Sequence, residues 1–232
     1  MKNQYRFLIK NFTFKNKEII EEESILFQLT KVLKVKPGQE IIIFNGKGKE
    51  AVFIIKETKE KVSLGKIKEQ IVLQKEKEFI IYLPILKGEK FYFALEKITE
   101  IGVNKIVPTI TERTIKKNIN LKRAEKIIKE ATEQSWQYFL PQILPPKNLE
   151  EVLDLSKEND INFLLHPSGK KIKEINSIKS NKIGIFVGPE GDFTPKEIEK
   201  MEKLGFQKIS LGENILKSET AAIVSLFYLK NL

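Results

Sequence analysis

The 232-residue chain contains no cysteine and only one histidine, His166. Without thiols it has no disulfide, no thiolate metal site and no cysteine nucleophile, and a single imidazole cannot build a multi-histidine metal centre. Chains without cysteine are common inside cells, where disulfides rarely form. We therefore expect an intracellular protein that binds no metal.

Long apolar runs are also missing. The opening stretch MKNQYRFLIKNF lacks the apolar core and small-residue cleavage site of a signal peptide. No later run approaches the roughly 20 apolar residues that span a bilayer. We expect a cytoplasmic protein without a membrane partner.

Acidic residues are fewer than basic ones, with 31 Asp and Glu against 41 Lys and Arg, a net charge of +10. This excess favours a polyanionic partner, RNA or DNA, because phosphate contacts release counterions. A surface rich in Lys and Glu is also typical of the ion-pair coat of thermophilic proteins. Composition alone leaves both interpretations open.

Residues 1–72 are predicted to form a small β-barrel of the size used by nucleic-acid-binding modules. Turn residues at Pro37-Gly38 and Asn45-Gly46 separate short β-rich segments, and one apolar-periodic stretch is predicted to be helical. The first seventy residues carry 15 Lys and Arg against 9 Asp and Glu, more than half of the net charge. The strands are predicted at YRFLI, QEIIIFNG, EAVFII and KVSLGKI, and the helix at ESILFQLTKVLKV.

Residues 73–232 alternate strands with helices, which predicts a wound α/β domain with a parallel sheet. Helices are predicted over GEKFYFALEKITEIG and LKRAEKIIKEATEQS, each with one apolar stripe. Between and after them, short apolar segments are typical of buried parallel strands. These strands are EFIIYLPIL, NKIVPTI, INFLLHP, KIGIFVG and QKISL.

The loop GPEGDF follows one of these strands and leads directly into a helix. Gly188 and Gly191 lack side chains where backbone would approach a ligand, and Thr194, Pro195 and Glu197 predict a capped helix start. The loop matches neither a Walker motif nor a dinucleotide fingerprint. A plain strand-to-helix connection remains the simplest alternative.

A second polar loop, LGENILKSETAA, follows the next strand. Ser218 is a candidate N-cap for a long last helix, with Glu219 in its first turn. A plain terminal helix does not explain why polar residues crowd this loop. Because the carboxyl ends of parallel strands share one sheet edge, both loops and His166 are predicted to form one pocket.

With both loops in view, the chain resembles the bacterial 16S ribosomal RNA uridine-N3 methyltransferase family, in the SPOUT class of knotted methyltransferases. The resemblance covers essentially the whole length. Its main motifs are GPEGDF and LGENILKSETAA, supported by KGEKFYFALEKITEIGV, TERT, EATEQS, YRF and TKVLKV. It implies a PUA-like barrel, a methyltransferase domain with a carboxyl-terminal trefoil knot, and a homodimer whose active sites lie near the subunit interface.

The resemblance also implies S-adenosylmethionine as the methyl donor and 16S ribosomal RNA, or the small ribosomal subunit, as the substrate. Lys217, Arg6 and Glu219 are predicted to serve catalysis, and Arg6, Lys31, Lys34 and Lys217 to contact RNA. The predicted cofactor residues are Leu165, His166, Gly188, Pro189, Glu190, Gly191, Leu211, Gly212, Ile215, Leu216 and Thr220.

The chain departs from the family pattern at several positions. Asn214 and Lys217 stand where the family usually has arginines, and Asp192 where it has a second glycine. Trp136 and Gln137 replace a Gly-Arg pair. Two alternatives to the enzyme stay open here: a non-catalytic protein that binds ribosomal RNA or assists ribosome assembly, and a nucleotide-phosphate site in the glycine-containing loop.

Overall fold

A computed structural model describes residues 5–58, 61–74 and 76–232. The chain divides into two compact units. The first contains the described residues up to Gln74 together with Thr132–Leu140, and the second contains residues 76–131 together with Pro141–Leu232. The return of Thr132–Leu140 to the first unit was not predicted from the sequence.

A five-stranded sheet forms the first unit, in the order β1-β3-β4-β5-β2, with β1 parallel to β3 and the remaining pairs antiparallel. A short helix, α1, continues into a π-helical turn at Gln28–Val32. The elements are β1 (Tyr5–Leu8), β2 (Lys17–Ile20), α1 (Glu23–Phe27), β3 (Glu40–Phe44), β4 (Lys49–Thr58) and β5 (Val62–Ile71).

The predicted strands of this unit are confirmed, and the turn chemistry explains their pairing. At the β3–β4 turn, the Asn45 side chain accepts hydrogen bonds from the backbone of Lys47 and Lys49, and Gly46 adopts a φ of 70°. The short strand β2 was missed, because KEII shows no alternation of apolar and polar residues. The unit encloses its own apolar core, which includes Phe7, Phe14, Leu29, Ile41, Ile43, Phe53, Ile55 and Leu64.

The second unit is an α/β domain built on a parallel sheet in the order β12-β10-β11-β6-β7-β8, with β9 also paired to β7. Its strands are β6 (Glu78–Pro84), β7 (Lys105–Ile110), β8 (Gln142–Ile143), β9 (Lys147–Asn148), β10 (Ile161–Lys171), β11 (Lys182–Phe186) and β12 (Gln207–Ser210). Its helices are α2 (Lys90–Ile101), α3 (Leu121–Gln134), α4 (Leu149–Ser156), α5 (Pro195–Lys203) and α6 (Ser218–Lys230), and the last residues of α3 belong to the first unit.

The predicted α/β alternation is confirmed. The strands β6 and β11 and the first half of β10 are largely apolar because helices cover both faces of such a sheet. At the centre, the ring of Tyr82 stacks on that of Phe186, with the ring centroids 3.9 Å apart. Within the described ranges, none of the helices has the length and apolar character needed to cross a membrane.

Candidate cofactor and active site

Four neighbouring parallel strands, in the order β12-β10-β11-β6, end at one edge of the sheet. Ligands of open α/β folds bind outside the carboxyl ends of such strands. The two polar loops singled out in the sequence follow β11 and β12, so the fold brings them to this edge. The prediction that both loops lie at the same edge of the sheet is confirmed.

The first contributor to the site is a bulge in β10. Leu165 and Lys170 both pair with Ile209 of β12, so His166–Gly169 are looped out between them. A Cβ added at Gly169 would lie 2.5 Å from the backbone nitrogen of Ile209, so only glycine allows this close approach. The bulge directs His166 toward the sheet edge.

The imidazole of His166 is held by its own loop. Its Nδ1 accepts a hydrogen bond from the backbone N–H of Ser168 at 3.2 Å and lies 2.8 Å from the Ser168 hydroxyl oxygen. Because Nδ1 acts as an acceptor, a neutral ring carries its proton on Nε2. That Nε2 lies 4.0 Å from a carboxylate oxygen of Asp192.

The GPEGDF loop leaves little space beside its first glycine. A Cβ at Gly188 would lie 2.6 Å from Oδ1 of Asp192, which accepts a hydrogen bond from the N–H of Phe193. Asp192 itself has a φ of 60°, in the left-handed region that glycine adopts most easily. Glycine, which the resemblance implies at this position, would adopt this conformation with less strain.

Helix α5 begins as predicted. The Thr194 side chain accepts from the N–H of Glu197, and the Glu197 carboxylate accepts in return from the N–H of Thr194. The other carboxylate oxygen of Glu197 accepts from the N–H of Glu112 at 2.9 Å. One buried carboxylate therefore caps the helix and fastens it to the loop after β7.

Gly191 faces this β7 loop. Its carbonyl accepts a hydrogen bond of 2.7 Å from Arg113, and a Cβ added to it would meet the Arg113 side chain at an ordinary 3.4 Å. Arg113 belongs to the TERT motif noted in the sequence. The TERT motif thus holds the GPEGDF loop through the hydrogen bond from Arg113 to Gly191.

The third loop runs from Ser210 to α6. The Ser210 hydroxyl donates to the carbonyl of Gly212, whose φ of 145° favours glycine. Helix α6 begins at Ser218 with Lys217 as its N-cap residue, one position earlier than predicted. Lys217 and Glu219 therefore stand at the helix N-terminus, where the helix dipole favours negative charge.

Together these loops line a cavity of about 650 Å³, within the size range of small-molecule sites. Most of the predicted cofactor and catalytic residues line it: Leu165, His166, Gly188, Pro189, Glu190, Leu211, Gly212, Ile215, Leu216, Lys217 and Glu219. Among the described residues, Gly191 and Thr220 adjoin the lining without belonging to it.

A buried carboxylate stands out in this lining. Glu219 is 9% exposed, and Oε2 finds no hydrogen-bond donor among the residues that the structure describes. An unpaired buried oxygen costs about 1–3 kcal/mol, so a donor from a bound molecule would offset that cost. The cavity also carries Ile215, an apolar side chain that is 87% exposed.

The other predicted residues lie in the first unit. Lys31 and Lys34 are exposed there, and their contact with RNA stays a prediction. Arg6 is 7% exposed: its Nε donates to Glu50 and its other nitrogens to the carbonyls of Thr132 and Gln137. These partners favour a structural role for Arg6, and the catalytic and RNA-binding roles that the resemblance implied stay untested predictions.

Two matches with known families bear on this site. A model described as an RNA methyltransferase domain matches residues 74–230, and one described as an RNA methyltransferase PUA domain matches residues 29–67. The ribosomal RNA small subunit methyltransferase E of Rickettsia conorii is 32% identical over 201 residues, covering 84% of this chain and 82% of the relative. The chain belongs to this RNA methyltransferase family.

Two further family members support the assignment. The methyltransferase E of Mesomycoplasma hyopneumoniae is 39% identical over 149 residues, which cover 62% of this chain and 65% of that protein. The crystal structure of the Neisseria gonorrhoeae methyltransferase E, bound to S-adenosylmethionine, superimposes with a TM-score of 0.88 at 28% identity. That match covers 98% of this chain and 97% of the other, so the predicted two-part family fold is confirmed.

Some residues of this methyltransferase cavity were missed from the sequence. Lys90, at the start of α2, lines it because β6 is the direct neighbour of β11. Strand order cannot be read from one sequence, so nothing indicated that the loop after β6 would reach the site. Lys171 also lines the cavity, at the end of the bulged strand β10. Within the described ranges, no group of acidic and histidine side chains could hold a metal ion.

Proposed function

We propose that this RNA methyltransferase transfers a methyl group from S-adenosylmethionine to N3 of a uridine in small-subunit ribosomal RNA. The observation that carries the proposal is the cavity at the sheet edge, which combines bare backbone at Gly188, the buried carboxylate of Glu219 and the cation of Lys217. The Neisseria gonorrhoeae relative binds S-adenosylmethionine, and this chain covers nearly all of its length.

The lining fits such a cofactor chemically. The unpaired Oε2 of Glu219 can accept from an amino group or lie against a positive charge, and S-adenosylmethionine carries both. Ile215 offers exposed apolar surface to a purine ring. The N–H groups of the loops after β11 and β12 can recognise polar edges of the ligand, as backbone does in other small-molecule sites.

When bound, S-adenosylmethionine supplies an electrophilic methyl group on a positively charged sulfur. The remaining task of the protein is to orient the uracil ring in line with that methyl carbon. As N3 loses its proton to water, negative charge spreads over the ring carbonyls. We assign stabilisation of this charge to the Lys217 ammonium, with Glu219 nearby on the same helix turn as its orienting partner.

The first unit is proposed to bind the RNA. Residues 29–67 match the PUA-domain model, and the first seventy residues hold 15 Lys and Arg against 9 Asp and Glu. Phosphate contacts of this kind fix position, while contacts to base edges specify sequence. Because the proposed substrate is ribosomal, we expect the protein to act in the cytoplasm.

We further propose a homodimer formed through α6. Between Ala221 and Leu229 this helix carries apolar side chains on more than one side, and such helices are usually buried. Leu226 and Leu229 face the core, whereas Val224 and Phe227 remain exposed, Phe227 by 62%. Sedimentation should give a dimer for the wild-type chain and a folded monomer for Phe227→Glu.

The decisive experiment compares ribosomal RNA from cells with and without the gene by mass mapping of modified nucleosides. The proposal predicts that one 3-methyluridine disappears from the small-subunit RNA and returns when the purified protein and S-adenosylmethionine are added. Calorimetry with S-adenosylmethionine is the companion measurement. A protein that gave no heat with the cofactor and changed no nucleoside would be an RNA binder instead.

A further inference from the structure

The first unit carries an unusual tryptophan. Trp136 is the only tryptophan of the chain, it is 47% exposed, and its φ is 59°. A bulky side chain at positive φ is an outlier that costs free energy, and such outliers concentrate at functional sites. Burial does not explain a residue that is half in solvent.

The backbone around Trp136 is fixed on the first unit. The carbonyl of Gln137 accepts from Arg6 at 2.9 Å, that of Tyr138 accepts from the N–H of Gly48, and the N–H of Leu140 donates to the carbonyl of Gly46. These contacts hold the segment after α3 against the β3–β4 hairpin. The backbone that carries the indole is therefore held in place by these hydrogen bonds.

The surroundings of the indole are aromatic and cationic. The Arg6 guanidinium carbon lies 5.7 Å from the Trp136 ring centre and 5.5 Å from that of Tyr138. The backbone of Lys47 pairs with that of Phe139, and the Lys47 side chain is exposed. Arg6 is buried, so the exposed cation beside this segment is Lys47. An exposed aromatic face near a cation is the combination with which proteins bind single-stranded nucleic acids.

We infer that Trp136 is a stacking platform for an unpaired base of the RNA substrate. The inference rests on the proposed function, because it needs an RNA ligand for the first unit. Stacking uses the π-face that every base shares, so this contact adds affinity without reading sequence. An exposed indole on a rigid segment loses little conformational entropy when a base covers it.

Fluorescence tests the inference directly, because Trp136 is the only indole. A base stacked on it should quench its emission, so a single-stranded 12-nucleotide oligouridine titrated into the wild-type protein should give saturable quenching. Trp136→Asn keeps a residue that tolerates positive φ but removes the ring. We expect this variant to lose about tenfold or more in oligouridine affinity, measured by anisotropy of a labelled RNA.

Trp136→Phe is the matched control and should retain most of that affinity, because it keeps an aromatic face. The cofactor affinity and unfolding midpoint of Trp136→Asn should stay at wild-type values or rise. Wild-type RNA affinity in Trp136→Asn, or binding without any quenching, would overturn the stacking role. Methylation of ribosomal RNA by the wild-type protein is scored separately, so a failure of the proposed function remains distinguishable.

Discussion

The Nε atom of Arg6 lies 2.7 Å from Oε2 of Glu50, and the two side chains are only 2% and 6% exposed. Burial lowers the pKa of Arg6, and the hydrogen bond that Arg6 donates to Glu50 opposes that shift. The guanidinium also lies 3.6 Å from the centre of the Phe44 ring. Arg6 thus ties β1, β4 and the returning segment Thr132–Leu140 together within the first unit.

Removing one partner of this buried pair should be costly. Glu50→Leu leaves the Arg6 charge uncompensated, and we expect a loss of about 3–5 kcal/mol in unfolding free energy, measured by urea denaturation. The double variant Arg6→Met, Glu50→Leu should recover much of that loss, because it buries no unpaired charge. Strictly additive effects of the two substitutions would show that the pair is not coupled.

The same double variant separates two roles for Arg6. If Arg6 is structural, the folded double variant should retain most of the methyltransferase activity. If Arg6 also contacts the substrate, as the resemblance implies, activity should fall steeply although stability is restored. Single-turnover methylation of ribosomal RNA, with the fold checked by circular dichroism, gives the answer.

The glycines of the GPEGDF loop should differ in their importance. A Cβ at Gly188 would lie 2.6 Å from Asp192 Oδ1, whereas one at Gly191 meets Arg113 only at 3.4 Å. We expect Gly188→Ala to weaken S-adenosylmethionine binding by about tenfold or more, about 1.4 kcal/mol, and Gly191→Ala to leave it nearly unchanged. Calorimetry with the cofactor measures both.

A second substitution tests the cause. Because the obstructing atom belongs to Asp192, adding Asp192→Gly to Gly188→Ala should restore much of the cofactor affinity. The glycine also relieves the positive φ of residue 192. Equal losses for the two alanine variants, or no rescue by Asp192→Gly, would argue against this account of the loop.

These glycines also show how far the sequence could predict the site. The capping box of Thr194 and Glu197 depends on neighbours three residues apart, so its motif sufficed to predict the helix start. The two loops could be placed at one sheet edge because parallel strands end together. Gly188 lines the cavity and Gly191 does not. This difference depends on the path of the loop backbone, which the motif alone did not predict.

Contacts distant in sequence were the ones that escaped prediction. Arg6 bonds to the carbonyl of Thr132, 126 residues away, so its burial could not be inferred from YRF alone. Lys90 reaches the cavity only because β6 lies beside β11. Both depend on which elements are adjacent in space, and one sequence without relatives does not specify that adjacency.

The buried phenol of Tyr82 should make stability depend on alkaline pH. Burial raises the pKa of Tyr82 to about 12, while a hydrogen bond from Asn159 opposes the shift. In the unfolded chain the phenol loses its proton near pH ~10, so stability should be intact below that pH and fall as the pH rises toward about 12.

Tyr82→Phe removes only the contribution of the Tyr82 phenol to this pH dependence, because all other tyrosines and lysines titrate in both proteins. We expect the unfolding free energy of the variant to decline less steeply than that of the wild type between about pH 9.5 and about pH 11.5. Urea denaturation at several pH values measures both slopes. Parallel profiles for the two proteins would exclude a raised phenol pKa as the source of the decline.

The last prediction concerns the ammonium of Lys217, which lines the cavity at the N-terminus of α6. If it stabilises charge that develops on the uracil only as N3 loses its proton, Lys217→Ala should reduce turnover by about a hundredfold or more. Binding of RNA and of S-adenosylmethionine should change far less. Lys217→Arg keeps the positive charge and should retain most of the activity.

Lys90→Ala provides the matched comparison, because Lys90 lines the same cavity but has no assigned role in the reaction. If Lys217 only holds a phosphate, its alanine variant should instead bind RNA more weakly and lose about one unit of salt dependence, with saturated turnover nearly unchanged. Single-turnover methylation at saturating RNA and cofactor distinguishes these outcomes. A wild-type rate for Lys217→Ala would remove Lys217 from the chemistry, because a charge partner needed in the transition state cannot be deleted without slowing the step it stabilises.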